Sequence, residues 1–213
     1  MIAAVLAIAT AAYAEEQDRP ETQHMDFFES GEYLTFSTSR DRGGGIGSIF
    51  DVKSYDALGS GTASVLVIRI QIVPEGTDTP VAEQLMQRSS LYDVWDEHYV
   101  LQLEQRGTKK QVIVKTPAEA LTRLTALQDI PLARLDLFPY EQHFVLRMVV
   151  ELNPRSKEEL AAMRRWLSQG TGGGIDRGGA LFGSFVSIFY NPKIAEADRV
   201  LRLQSNPFYR ARP

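Results

Sequence analysis

The stretch "HFVLRMVVEL", residues 143–152, decides the fold class of this chain. Every second residue from Phe144 to Leu152 is apolar, whereas Arg147 and Glu151 occupy alternate positions. A period of two residues is typical of a β-strand that buries one face and exposes the other. The stretch therefore predicts a strand in a sheet that is covered on one side.

Other segments repeat this pattern along the chain. The clearest is "TASVLVIRIQIVP" at 62–74, which is followed by the short turn "EGTDTP". Short connections join antiparallel strands, because parallel neighbours need long crossovers. Further strands are predicted at 33–39, 82–94, 97–105 and 111–115.

Two capping boxes predict helices in the second half of the chain. Thr116 with Glu119 begins a predicted helix over 117–127, and Ser156 with Glu159 begins another that ends at Gly170. The apolar residues of 48–58 would allow a third, short helix. The predicted fold class is α+β: a mainly antiparallel β-sheet, sandwich-like or open, with two or three short helices on one face.

The amino terminus predicts export. Residues 1–14, MIAAVLAIATAAYA, carry no charge and end in Ala12-Tyr13-Ala14, a pattern that signal peptidase accepts. We therefore predict a signal peptide at 1–14, cleavage near Ala14, and a periplasmic or secreted location. The alternative is a buried N-terminal helix, since no Lys or Arg precedes the apolar run. Residues 15–31 are predicted to be a flexible polar lead, and 32–210 a single α+β domain.

Composition and glycine spacing exclude several classes of ligand. The formal net charge is −4 and the chain has no cysteine, so neither a basic nucleic-acid surface nor a thiolate metal site is expected. The glycine runs at 43–45 and 172–174 match neither a dinucleotide fingerprint nor a phosphate loop, and no Gly-Lys pair occurs. We predict no nucleic-acid partner, no nucleotide cofactor and no other cofactor.

The run "ALFGSFVSIFY", residues 180–190, holds four aromatic side chains and no charge. One interpretation is a buried strand or helix that completes the core. The other is an exposed patch, within a 170–190 contact segment, that binds an envelope protein or a membrane surface. The candidate binding residues are Phe182, Phe185, Phe189 and Tyr190.

The segment "YDVWDEHY", residues 92–99, is the densest polar cluster. Carboxylates beside a histidine can bind a divalent cation or transfer protons. If the segment is a tight turn, Asp96 and Glu97 are instead ordinary solvent-exposed turn residues, and Trp95 folds into the core. The candidate metal ligands are Asp93, Asp96, Glu97 and His98, with His143 as an outward-facing histidine that could be a neighbour of His98.

Three segments of the chain together resemble a known family. The turn "LGSG" at 58–61, the segment "LYDVWDEHYVL" at 91–101 and the closing "SNPFYR" at 205–210 are similar to an exported bacterial family known only as domain of unknown function 4390. The resemblance covers most of 32–210, and its most specific piece is the Tyr-Asp-Val-Trp-Asp-Glu segment. It implies an envelope-located domain with no assigned activity, so it supplies no catalytic residues.

The predicted function is therefore a non-enzymatic exported interaction domain that contacts a protein or lipid partner through 170–190. The alternative is a metal-dependent hydrolase that uses Asp93, Asp96, Glu97 and His98.

Overall fold

The computed structural model describes residues 20–38, 45–105, 108–156 and 194–212. The predicted signal peptide, nearly all of the predicted helix at 156–170 and the 170–190 contact segment lie outside the described residues. The described part is mostly antiparallel β-structure with two short α-helices, which confirms the α+β class. Neither of these helices has the length and apolar character needed to cross a membrane.

The strands and helices of the described residues have the following bounds. The strands are β1 (Glu21–Gln23), β2 (Met25–Ser30), β3 (Tyr33–Thr38), β4 (Ser64–Pro74), β5 (Ala82–Asp93), β6 (His98–Gln105), β7 (Thr108–Val114), β8 (Ile130–Arg134), β9 (His143–Leu152), β10 (Arg155–Ser156), β11 (Ile194–Glu196), β12 (Arg199–Ser205) and β13 (Phe208–Tyr209). The helices are α1 (Val52–Ala57) and α2 (Pro117–Thr125), and single 3-10 turns occupy Gly47–Ile49 and Leu135–Leu137.

The main sheet has the strand order β1-β12-β9-β4-β5-β6-β7, and β13 pairs with the start of β9. Its neighbours are antiparallel except for β1 and β12, which run parallel. In the middle of the sheet, Ile68 of β4 lies opposite Met86 on one side and Val150 on the other. The two stretches with the clearest two-residue period, β4 and β9, are thus central neighbours.

A second layer covers one face of the main sheet. It consists of the small sheet β2-β3-β8 and helix α2. Phe36 of β3, Leu124 of α2 and Leu146 of β9 are all fully buried in one apolar cluster. Burial of this shared face is the main source of stability for both layers.

The predicted capping box at the start of α2 is confirmed. Thr116 Oγ1 accepts a hydrogen bond from the backbone N–H of Glu119 at 3.2 Å, and Glu119 Oε2 accepts one from the N–H of Thr116 at 3.3 Å. The bond from the Lys115 N–H to Glu119 Oε2, with the bonds from Thr116 to the same carboxylate, holds the pKa of Glu119 below its usual value. The helix ends at Thr125, two residues before the predicted end.

The other end of α2 is held by Arg88 of β5. Its Nη1 donates hydrogen bonds to the carbonyl oxygens of Arg123, Leu124 and Ala126 at 3.3, 2.8 and 2.6 Å. The last carbonyls of a helix have no partner within the helix and carry partial negative charge, which a guanidinium neutralises. Arg88 therefore fastens α2 to the main sheet.

The flexible lead predicted at 15–31 contains two strands in the structure, because residues 21–23 form β1 and residues 25–30 form β2. Met25 is buried, and Phe27 stacks on Phe36 with ring centroids 6.4 Å apart. Met25 and Phe27 are two positions apart, so both face the core while polar residues alternate with them. Because most residues of this region are polar, the two-residue alternation of Met25 and Phe27 does not stand out in the sequence.

Strand β8 was not predicted either, since Pro131 lies within it. It pairs with β3 on one side only, at the edge of the small sheet, where a proline is tolerated. Ile130 and Leu132 on either side of the proline are buried in the core.

The closing segment at 205–210 joins the two layers. Ser205 Oγ accepts a hydrogen bond from the N–H of Leu146 at 3.0 Å. The ring of Phe208 stacks on that of Phe27, with centroids 3.8 Å apart. The Nε of Arg210 donates to Glu29 at 2.8 Å, and its guanidinium lies 4.3 Å from the ring centre of Tyr140.

Candidate functional site

One end of the main sheet gathers most of the residues that the sequence singled out. It carries the β5–β6 turn at residues 94–97, the 59–63 loop and the β10–β11 pair, and is called the hairpin end below. The opposite end carries the β6–β7 connection and the starts of β5 and β9.

Asp93 organises the β5–β6 turn. Its Oδ1 accepts hydrogen bonds from the backbone N–H groups of Trp95 and Asp96 at 2.9 and 3.2 Å. This arrangement is usual for an aspartate that begins a turn. The bonds from Asp96 and Trp95, with a smaller contribution from the charge of His98, hold the pKa of Asp93 below its usual value. Glu97 completes the turn in the left-handed region, with a φ of 49°.

The turn presents Trp95 to solvent with 94% of its surface exposed. The expectation that Trp95 would fold into the core is therefore wrong. The side chain leaves the turn at its tip, beyond the last paired residues Asp93 and His98, so no strand lies beneath it. Val94, next to it, is 61% exposed and lies over Gly61, where an added Cβ would come within 3.2 Å of it.

Three of the predicted metal ligands do lie together. Ligand atoms of Asp93, Asp96 and His98 all fall within 4.8 Å of one another, whereas Glu97 is not part of this group. The Nδ1 of His98 lies 3.3 Å from the carbonyl oxygen of Asp96. This is a small, open set of oxygen and nitrogen donors at the surface.

His143 does not approach His98. His143 begins β9 opposite Tyr209, with the two rings tilted and their centroids 5.2 Å apart, while His98 pairs with Asp93 at the hairpin end. The two histidines are separated by the full length of β4, roughly 35 Å at 3.3 Å per residue. Both fall at strand starts in the sequence, but β6 and β9 begin at opposite ends of the sheet.

The chemistry of the Asp93–Asp96–His98 group is limited by its position. Asp93 already uses Oδ1 for two backbone N–H groups, and Asp96 is exposed. Hydrolysis at a metal generally takes place in a shaped, water-excluding cavity. An exposed turn of this kind suits weak binding of a divalent cation better than catalysis.

The predicted contact residues Phe182, Phe185, Phe189 and Tyr190 lie outside the described residues. The chain leaves the described part after Ser156 in β10 and returns at Ile194 in β11, and these two residues pair. This pair follows Asn153, whose side chain accepts from the N–H of Val65 at 2.8 Å and donates to Asp198 at 2.9 Å. The described residues on either side of 157–193 therefore lie at the hairpin end.

Comparison with models of protein families, with curated proteins and with solved structures gives no match to this chain. The resemblance to domain of unknown function 4390 consequently stays a prediction.

Proposed function

We propose that this protein is a non-enzymatic exported interaction domain, periplasmic or secreted, that binds a partner protein through its hairpin end. The observation that carries the proposal is Trp95, which is 94% exposed at the tip of a hydrogen-bonded turn. Tryptophan has a large apolar surface, and leaving it in water forgoes about 2 kcal/mol or more of burial free energy. Such a residue is favoured at a surface when a partner covers it.

The turn supports Trp95 as an anchor because its backbone is already ordered. Asp93 fixes the N–H groups of Trp95 and Asp96, and Val94 rests on Gly61. A preorganised anchor loses little conformational entropy on binding. Exposed tryptophans at the centre of interfaces commonly supply the largest single contributions to affinity.

The charges around Trp95 favour a protein partner over a lipid surface. Asp93, Asp96 and Glu97 surround the anchor, and the pKa of Asp93 is lowered. An anionic bilayer would repel this acidic turn, since the energy of like charges at close range is unfavourable. The complementary surface is an apolar pocket rimmed by Lys or Arg.

The 170–190 segment is part of the same proposal. Its flanking pair β10–β11 lies at the hairpin end, two to three strand positions from the β5–β6 turn. We propose that Phe182, Phe185, Phe189 and Tyr190 add to the partner surface around Trp95.

Replacing Trp95 with serine is expected to weaken partner binding by about tenfold or more, the usual cost of losing an interface anchor. The neighbouring position 94, which is 61% exposed, can carry a photo-crosslinking amino acid in producing cells while Trp95 stays in place, and a discrete adduct is expected from it. Purified wild-type domain should compete for this adduct, and Trp95→Ser should compete at least tenfold less well.

Tyr209 provides the matched control, because it is an exposed aromatic residue at the opposite end of the sheet. A crosslinker there should give no comparable adduct, and Tyr209→Ser should compete like wild type. Folded Trp95→Ser that competes like wild type contradicts the proposal. The triple change of Phe182, Phe185 and Phe189 to serine tests the 170–190 contribution in the same assay, and phosphatidylglycerol vesicles test the lipid alternative.

A metal-dependent hydrolase that uses Asp93, Asp96, Glu97 and His98 is the second candidate. The observation that favours it is the 4.8 Å grouping of three ligand atoms. If the group binds Zn²⁺, Mn²⁺ or Ca²⁺, millimolar metal should raise the melting temperature by about 3 °C or more. Asp96→Asn should remove this effect, whereas Asp78→Asn, an exposed aspartate beyond the end of β4, should keep it. A metal-free preparation with no such shift removes this candidate.

A further inference from the structure

A cavity of about 530 Å³ lies on the covered face of β5, β6 and β7, toward the end of the sheet opposite the Trp95 turn. Its other wall is formed by Gln128, just before β8, and by Pro131 of β8. Cavities of this size accommodate small organic molecules. Its lining includes Met86, Arg88, Leu103, Lys110, Gln128 and Pro131.

Arg88 lies in this cavity without an acidic partner. The residue is only 7% exposed, yet no carboxylate lies within ion-pair distance of its side chain in the described part of the chain. Nη1 is occupied by the three carbonyl oxygens at the end of α2. Nε and Nη2 make no hydrogen bond to any described residue and are not sealed from solvent. Arginine is rarely buried this far without a counter-ion.

A second cation lies across the same row of the sheet. Arg88 is opposite Leu103 of β6, and Leu103 is opposite Lys110 of β7. The two cationic side chains therefore flank one leucine, about 10 Å apart at the backbone. The acidic residue at the rim, Glu104, is paired with Lys109 at 3.4 Å, so it does not neutralise Lys110.

The lining beside these charges has an apolar part as well as the polar Gln105, Thr108 and Gln128. Met86 and Leu103 form the floor, and Pro131 faces them from the β8 side. A site that combines a cationic patch with an apolar floor fits an amphiphilic anion better than an inorganic one.

We propose that this cavity binds a small monocarboxylate with an apolar body, its carboxylate held by the free edge of Arg88 and by Lys110. The two N–H groups of Nε and Nη2 match the two oxygens of a carboxylate in a bidentate pair. The apolar body lies along Met86, Leu103 and Pro131. This site is independent of the partner surface at Trp95.

The charge of Arg88 persists over the physiological range. Burial lowers the pKa of its guanidinium to about 10, so the group stays protonated at neutral pH. Carboxylate affinity is therefore expected to be constant between about pH 6 and pH 9.

Octanoate is a suitable probe for the full-length protein at low ionic strength. Isothermal titration should show one saturable site with a Kd of about 1 mM or tighter, which is reasonable for ten non-hydrogen atoms. Octanol and octylamine, which share the apolar body, should bind at least tenfold more weakly. Inorganic phosphate should bind no better than octanol.

Lys110→Glu and Lys109→Glu form a matched pair of variants. Both change the net charge equally, but Lys109 and Lys110 point to opposite faces of β7, and only Lys110 lines the cavity. Lys110→Glu should weaken octanoate binding about tenfold, and Lys109→Glu less than twofold. Arg88→Lys, if folded by circular dichroism, should also weaken binding at least tenfold.

Several results would overturn this assignment. They are the absence of saturable octanoate binding to the wild type, equal effects of the two lysine variants, or octanol or phosphate binding as tightly as octanoate. None of them bears on the Trp95 surface, which is tested by crosslinking at the other end of the molecule.

Discussion

Replacement of Arg88 with alanine is expected to lower the free energy of unfolding by about 3 kcal/mol. The change removes three hydrogen bonds from Nη1 to the carbonyl oxygens of Arg123, Leu124 and Ala126. These carbonyls end helix α2 against the main sheet, and the bond to the Leu124 carbonyl is buried, so water entering from the cavity replaces the guanidinium only in part. Hydrogen bonds from a charged donor are also stronger than neutral ones.

The expected loss is measured by urea unfolding followed by circular dichroism. Arg88→Lys keeps the charge but has a single nitrogen in place of the planar fork, and should lose about half as much. Gln87→Ala is the matched control, because Gln87 is adjacent in β5 and points to the other face of the sheet. A change of less than 1 kcal/mol in Arg88→Ala would show that the carbonyls find other partners.

Replacement of Phe208 with alanine is expected to lower the free energy of unfolding by about 2 kcal/mol, less than for a core phenylalanine because Phe208 is half-buried. Phe208 stacks on Phe27 at 3.8 Å and lies 6.1 Å from the ring of Phe144, so it bridges the two layers of the fold. Truncation leaves a cavity where β2, β9 and β13 meet. Aromatic pairs add about 1 kcal/mol beyond the area that they bury.

Tyr209→Ala is the control for this second variant. Tyr209 is 54% exposed and contacts the ring of His143 at 5.2 Å, so its loss should be about 0.5 kcal/mol. The comparison uses the same urea titrations, and hydrogen exchange should show faster opening of β2 in Phe208→Ala. Equal losses in the two variants would contradict the bridging role of Phe208.

The sequence predicts the strands and helix starts whose pattern can be recognised within a short segment and whose apolar residues are also the buried ones in the fold. In β9 buried apolar residues alternate with partly exposed ones, so a two-residue period is visible without any knowledge of the neighbours. In β4 the period is visible at Arg69 and Gln71, although several valines on the same face are also buried. The capping box of Thr116 and Glu119 is likewise local, because both hydrogen bonds form within four residues. Hairpin connections then gave the antiparallel order of β4, β5, β6 and β7.

The parts that sequence did not predict depend on distant residues. Strand β8 contains Pro131 and is stable only because β3 pairs with it. Arg88 occupies an inward position of β5 that a pattern assigns to an apolar residue, and its burial depends on the end of α2, some 35 positions later. The local signal for this cavity is Arg88 itself, a charged residue at a position of β5 where the alternating pattern expects an apolar one.

The candidate metal ligands show the same division. Asp93, Asp96 and His98 lie in one turn, so their proximity follows from the short segment alone. Whether His143 joins them depends on which ends of β6 and β9 coincide, which is a property of the strand order. The exposure of Trp95 likewise depends on where the turn projects from the sheet.

The parallel pairing of β1 with β12 has a consequence for the order in which the main sheet forms. Glu21 lies beside Leu203 and Gln23 beside Ser205, in each case 182 residues apart. The β4-to-β7 meander can pair early, because its contacts join strands that are neighbours in the chain. Strand β1 can pair only after β12 has joined β9, because β12 is the strand beside it. Until β12 is in place, β9 leaves backbone N–H and C=O groups unpaired along a ten-residue edge, and such an edge can pair with another chain.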